Sequence, residues 1–442
     1  METDNLLNHL KGFDAEIFEL LQEEIKQQRY TLSLVPTVNA MSPLAAYLEG
    51  SLLTNSTIER CGGRVSAIEE LVCKRVRDLF GSEHAIVRFG SIAAASRVVF
   101  LGLLQQGDRV LSFNRRKEEH CAGLNYTFEN FGIDPETQKV DWDAVMELAQ
   151  RVKPRLIIFS PVSYPRIPNY AKLAEIAHAV GAYLWVDIGQ NVGLIAAGLL
   201  PSPVAHADVV TFPTNDSLHG PDGAVVLCKE QLAGKLDAAV ENTGHVALHM
   251  NHLAALGIAL HEAASETFRA YGRQVIANAK ALSVSLEQSG VKLLCGGTDT
   301  HLVLAVPADG IGLVDAAHKL AHVGLRVKTD NVPTMQEGVT LPALRLSSLN
   351  PTTRALKEED MTTVGKLLAK ILTGDASADI PENVRQEVAA LIVIKPIFSR
   401  EWYVDTEGDD ESAFYDESNS GAVHEHVARA RMNTIKKLFR WK

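Results

Sequence analysis

Cysteine is scarce and scattered in this chain. The five thiols, Cys61, Cys73, Cys121, Cys228 and Cys295, have no paired spacing. That argues against a disulfide framework or a zinc knuckle, fits reduced thiols, and makes the cytoplasm the expected location. Positive charge is also in deficit, with 43 Lys and Arg against 54 Asp and Glu and a formal net charge of -11. Nucleic-acid or anionic-membrane binding draws on clustered Lys and Arg, so neither is expected as a partner, while small anions remain open to local sites. Long apolar runs are missing. The opening METDNLLNHLKGFDAEIFELL is acidic and helix-periodic, without the basic and apolar regions of a signal peptide, so export is not expected. No P-loop, Gly-rich dinucleotide fingerprint, GxSxG elbow or calcium loop occurs, which leaves those enzyme classes without support.

What is present is a regular alternation. Apolar spacing predicts helices over 12–28, 69–80, 142–152, 169–180 and 358–372, and strands over 85–89, 109–113, 155–160 and 183–187. Strands and helices alternating at these lengths imply parallel pairing with crossover helices, an α/β fold. From about Leu282 a smaller unit begins, with a strand-like 291–294, the stretch GGTDTHLVLAV, a helix near 314–323 and ALRLSSLNPTTR. The expected division is a helical arm (1–30), a large α/β domain (31–281), a small C-terminal domain (282–403), an acidic linker (404–422) and a basic amphipathic tail helix (423–442). The linker's small and acidic residues predict disorder. The tail is expected to dock on the acidic body or its complex.

Two local signals are weak. His245, His249 and His252 fall at i, i+4 and i+7, a spacing that could hold a metal, but no HExxH-type carboxylate accompanies them. A helix face in a subunit contact is preferred, and no metal site is expected. Arg115, Arg116 and Lys117 read as a solvated charged loop.

The chain is organised around Trp185–Cys228, WVDIGQNVGLIAAGLLPSPVAHADVVTFPTNDSLHGPDGAVVLC. Its opening strand ends in Asp187, where open α/β sheets place ligand-contacting groups, although an Asp leaving a strand more often caps a turn. The stretch closes on Thr214-Asn215-Asp216-Ser217-Leu218-His219-Gly220-Pro221. Together with LSLVPTVNAMSP (32–43), Gly90–Ala95 and ALRLSSLNPTTR (343–354), it resembles the serine hydroxymethyltransferases, a family of pyridoxal-phosphate (PLP) enzymes. The resemblance covers about nine tenths of the chain and fades near Tyr403. It implies PLP fold type I: a large, mostly parallel seven-stranded sheet domain and a small C-terminal α/β domain. It also implies a homodimer or larger homo-oligomer, with a heteromer as the alternative.

The same resemblance assigns roles and marks departures. The family's Schiff-base lysine position holds Asp216, and a carboxylate cannot form an imine, so no covalent PLP is expected. Asp187 matches the aspartate that pairs with the pyridine nitrogen, His120 the histidine that stacks on the ring, and Arg345 the arginine that clamps the substrate carboxylate, a task suited to its planar fork. Thr37 and Asn39 fall on the substrate side. The glutamate used in proton transfer and folate chemistry is replaced by Val38, expected to be a buried apolar side chain, and this argues against folate use. Ser91 remains in the phosphate turn, while Ile92 and Ala93 remove a glycine and a hydroxyl.

Three functions follow as expectations. The first is a repurposed, PLP-independent enzyme acting on a small amino-acid-type carboxylate, with Asp216 as acid or base and His120 and Asp187 positioning the substrate. The second is an inactive pseudoenzyme serving as a regulatory or heteromeric partner. The third is a lysine-independent enzyme binding PLP or pyridoxamine phosphate (PMP) noncovalently, through Ser91, His120, Asp187, Thr214 and His219.

Overall fold

The structure, a computed structural model, describes residues 9–55, 63–113, 126–243, 249–374 and 382–404. The expected 423–442 tail helix and nearly all of the acidic linker lie outside the described residues, as do His120, Arg115, Arg116, Lys117 and His245. The arm helix spans Ala15–Tyr30, capped by the Asp14 carboxylate, which accepts from the Ile17 N–H at 3.0 Å. It contains no buried residue, and Phe13, just before it, is 82 % exposed.

After a two-residue strand β1 (Leu32–Ser33), seven strands build the large sheet: β2 (His84–Phe89), β3 (Arg109–Phe113), β4 (Thr127–Phe131), β5 (Leu156–Phe159), β6 (Tyr183–Asp187), β7 (Val209–Pro213) and β8 (Ala224–Cys228). Their order is β2-β8-β7-β6-β5-β3-β4. Strands β4, β3, β5, β6 and β7 pair in parallel, and β8 runs antiparallel to both β7 and β2. Every residue of β5 and β8 is buried, as expected of strands covered on both faces. Helices Ile92–Leu103, Trp142–Val152 and Tyr170–Ala179 supply crossovers, and the sheet carries apolar clusters on its two sides.

The smaller unit holds β9 (Lys292–Leu293), β10 (Leu302–Val306), β11 (Leu325–Arg326), β12 (Lys328–Pro333) and β13 (Thr340–Ser347). Four of these form an antiparallel sheet in the order β12-β13-β10-β9. The long helix Glu266–Gln288 runs through the boundary expected at 281/282, so the two units share one rigid element. The N-terminal chain also crosses over: β1 pairs in parallel with β11, and Leu32 and Leu34 are buried in the small unit's core. The buried Arg354 secures this crossing by donating to the carbonyls of Gln28, Arg29 and Thr31 on one side and Ile392, Lys395 and Pro396 on the other. The segment that follows Leu34 is thereby delivered to the carboxyl end of the large sheet.

Candidate active-site cleft

Between β7 and β8 the chain makes a tight buried loop. Thr214 anchors it, accepting the Gly220 N–H at 3.1 Å on its carbonyl and donating its hydroxyl to the Pro221 carbonyl at 2.6 Å. A Cβ on Gly220 would collide with the Thr214 carbonyl, so only glycine closes the turn. Gly193 meets the loop from the other side: its N–H donates to the Ser217 hydroxyl at 3.0 Å, and a Cβ there would overlap the Ser217 carbonyl. In this frame Asp216 (φ 48) and His219 (φ 59) both adopt left-handed backbone, a conformation an aspartate tolerates better than most side chains.

The loop forms one wall of a cleft of about 390 Å³. The opposite wall is the segment 37–41, whose Asn39 donates to the Asp216 backbone carbonyl at 2.9 Å and accepts from the Thr353 hydroxyl at 2.8 Å. Glu49 and His252 close one side, with His252 Nδ1 3.0 Å from Glu49 Oε1. Thr37, Asn39, Asp216 and His219 are thus brought together. Val38 also lines the cleft and is 43 % exposed, because the 37–41 segment faces open space and not the core.

Asp216 is only 7 % exposed, and its carboxyl makes no hydrogen bond or ion pair among the described residues. Burial, reinforced by the negative Asp222, pushes it up to about 7 against the opposing pull of Arg345. His219 behaves differently. Its ring sits edge-on to Phe268, Tyr271 and Phe398, with centroids at 5.9, 4.7 and 5.1 Å, and burial lowers it to about 3. Its Nε2 lies 3.4 Å from the Thr353 hydroxyl. The ring is therefore neutral at ordinary pH and its apolar surroundings hold it that way.

The other expected site residues lie outside this lining. Asp187 ends β6, where its carboxylate accepts from the Gly189 N–H at 2.9 Å and the Thr211 hydroxyl at 3.1 Å. The Thr211 hydroxyl in turn accepts from Trp185 Nε1 at 2.9 Å. Ser91 caps the helix Ile92–Leu103, its hydroxyl accepting from the Ala94 N–H at 3.2 Å. Arg345 is buried in β13, with Nη1 at 3.3 Å from Asp330 Oδ2, and that carboxylate also accepts from the Ser163 hydroxyl. His249 is the N-cap of the helix Met250–Ala263 and His252 lies in its first turn, with the two ring centroids 6.1 Å apart and His252 also facing Glu49. Among the described residues no cluster of His, Cys, Asp and Glu could hold a metal ion, and no helix is long and apolar enough to cross a membrane.

Glu49, Asn215 and Asp222 join the cleft without having been singled out from sequence. Asn215 lies inside the motif 214–221 and Asp222 directly follows it, so both could have been found from the loop. Glu49 comes from the helix Pro43–Glu49, far away in sequence and without a local signal.

A cofactor imine requires an amine. No lysine lines the cleft among the described residues, and the buried ionisable side chains of its lining are the Asp216 carboxyl and the His219 ring. The hydroxyls of Thr214 and Ser91 are engaged with the protein's own backbone. This donor set does not fit PLP held as a Schiff base. The ancestry of the scaffold is nevertheless plain in the fold and along the chain, since the serine hydroxymethyltransferase family model matches residues 10–368. Its members bind PLP on a type I fold with a large, mostly parallel seven-stranded sheet, the sheet found here. On that match and that architecture, the chain belongs to the serine hydroxymethyltransferase family.

Proposed function

We propose that this protein is a serine hydroxymethyltransferase-family member that has left Schiff-base chemistry and acts, without PLP, as an acid–base enzyme on a small amino-acid-type carboxylate. The observation that carries the reading is Asp216: an enclosed carboxyl, without a hydrogen-bond partner, raised to about 7. A group that titrates near the working pH is present in both protonation states, the condition under which general acid–base catalysis is most effective. Asp216 takes a proton from the substrate or returns one to it. Arg345, whose charge is felt at Asp216, attracts the substrate carboxylate, and Asn39 holds the loop through the Asp216 carbonyl.

Turnover measured with a panel of amino and hydroxy acids tests the proposal. Asp216→Asn, close in shape and unable to ionise, is expected to lower kcat by roughly 100-fold or more. Arg345→Ala is expected to raise KM. Unchanged turnover in Asp216→Asn overturns the reading.

A second reading, a silent subunit in a homomeric or heteromeric complex, is favoured by the arm. Phe13, Ile17 and Leu20 are 82, 53 and 62 % exposed there at helical spacing, an apolar stripe suited to a subunit contact. In that case removal of the arm disrupts association while Asp216→Asn changes nothing.

A further inference from the structure

In the proposed function Arg345 attracts the substrate carboxylate, yet a carboxylate of the protein itself already stands against it. Arg345 is buried in β13, and Asp330 lies on β12, the strand at the edge of the small sheet. The antiparallel register sets Lys328 opposite Arg345 and Asp330 opposite Ala343, which makes Asp330 and Arg345 diagonal neighbours on one face. Backbone pairing therefore fixes their encounter.

The Asp330 carboxylate is held at both oxygens. Its Oδ2 accepts from Arg345 Nη1 at 3.3 Å and from the hydroxyl of Ser163, which belongs to the loop after β5 of the large sheet. Its Oδ1 accepts from the Asn331 N–H at 2.8 Å. Two features make the arginine contact displaceable. At 3.3 Å it is longer than the roughly 2.7–2.9 Å of a strong charge-assisted hydrogen bond. The Asp330 side chain is also 25 % exposed on an edge strand and can turn to water, while the Arg345 side chain, 5 % exposed, stays enclosed. A buried guanidinium stripped of its counter-charge is costly, so Asp330 leaves only as another carboxylate arrives.

We propose that Asp330 is a specificity-determining internal carboxylate: it holds Arg345 until a substrate carboxylate displaces it. The inference rests on the reading of Arg345 as the substrate's partner and adds what guards that residue. An uncharged ligand cannot make the exchange, so the pair admits carboxylates and turns away their amides and esters.

Isothermal titration of the full chain with propanoate and with propanamide tests the proposal. Asp330→Asn keeps the shape and removes the charge; it is expected to bind propanoate roughly tenfold or more tighter than wild type, with propanamide unchanged. Adding Arg345→Ala to Asp330→Asn is expected to abolish the gain. In the wild type, saturating propanoate is expected to speed amide exchange at Asn331, because the displaced carboxylate releases that N–H. This readout stands even where a variant fails to fold. Equal propanoate affinity in wild type and Asp330→Asn, no propanoate binding in that variant, a gain that survives Arg345→Ala, or unchanged exchange at Asn331 overturns the inference. The two ideas fail separately. Propanoate affinity unchanged in Asp330→Asn, with turnover still lost in Asp216→Asn, removes only the internal carboxylate, whereas tightened propanoate binding without turnover on any substrate keeps it and removes the acid–base role.

Discussion

Asp187 and Asp216 are carboxylates on neighbouring strands and loops of one sheet, in opposite situations. Asp187, at the end of β6, accepts hydrogen bonds from Gly189 and Thr211, and Thr211 is itself held by Trp185. Asp216, in the loop after β7, is enclosed and receives no hydrogen bond. The first charge is stabilised by dipoles already in place; the second is opposed by its surroundings. A carboxylate supplied with donors contributes to the fold, whereas one denied them costs stability and holds reactivity in reserve.

The comparison breaks first at the loop's support. Gly193→Ala pushes a methyl into the Ser217 carbonyl and must displace the Asp216 loop. The expected cost is about 3 kcal/mol, read as a lowered denaturation midpoint, with turnover lost in the same variant.

Next comes the pH dependence of stability. Asp216 has a folded value near 7, above its ordinary 3.8, so between those values the folded state binds more protons than the unfolded. Its contribution is therefore present at low pH and lost as pH rises toward 7. His219, lowered from 6.5 to about 3, and the buried His301, lowered to about 4, act with the opposite sign: their contributions are present above 6.5 and lost as pH falls. Over roughly pH 4 to 6.5 the aspartate and the histidines oppose one another. Asp216→Asn is expected to melt higher than wild type at pH 8, by on the order of 5 °C, and no higher at pH 3.5. Its stability should climb more steeply with pH between 4 and 6.5. Equal melting at pH 8 would contradict the enclosed carboxyl.

A smaller effect sharpens the other half. Thr211→Val removes one donor from Asp187 and one acceptor from Trp185, at an expected cost of about 1–2 kcal/mol in thermal or denaturant unfolding. The smallest expected effect is none. Titration with PLP or PMP, followed by absorbance, should give no saturable chromophore, because no lysine faces the cleft among the described residues and the Ser91 and Thr214 hydroxyls are already bonded.

Much of the architecture was legible beforehand. The expected 109–113, 142–152, 183–187 and 358–372 segments coincide with elements of the fold, because there the apolar spacing and the turn residues agree with burial. The strand expected at 291–294 is cut to Lys292–Leu293, since Cys295 (φ 60) and the two glycines after it turn the chain away. The helix expected from Glu69 begins earlier, at Gly63.

The site was legible only in part. Asp216 and Asn39 could be read from motifs along the chain, but Glu49 and His252 meet only through tertiary packing. His219 shows the limit most clearly. Its place beside Asp216 was evident, yet its burial among Phe268, Tyr271 and Phe398 depends on a helix and a loop distant in sequence.

By itself the sequence determined the α/β class, the family scaffold and the identity of the group at 216, because periodicity and motif order are local properties of the chain. The environment of that group was decided only by the tertiary structure. Desolvation, the proximity of Asp222 and Arg345, and the lack of a hydrogen-bond donor are sums over atoms from remote segments. Those sums separate a titrating carboxyl such as Asp216 from a structural one such as Asp187.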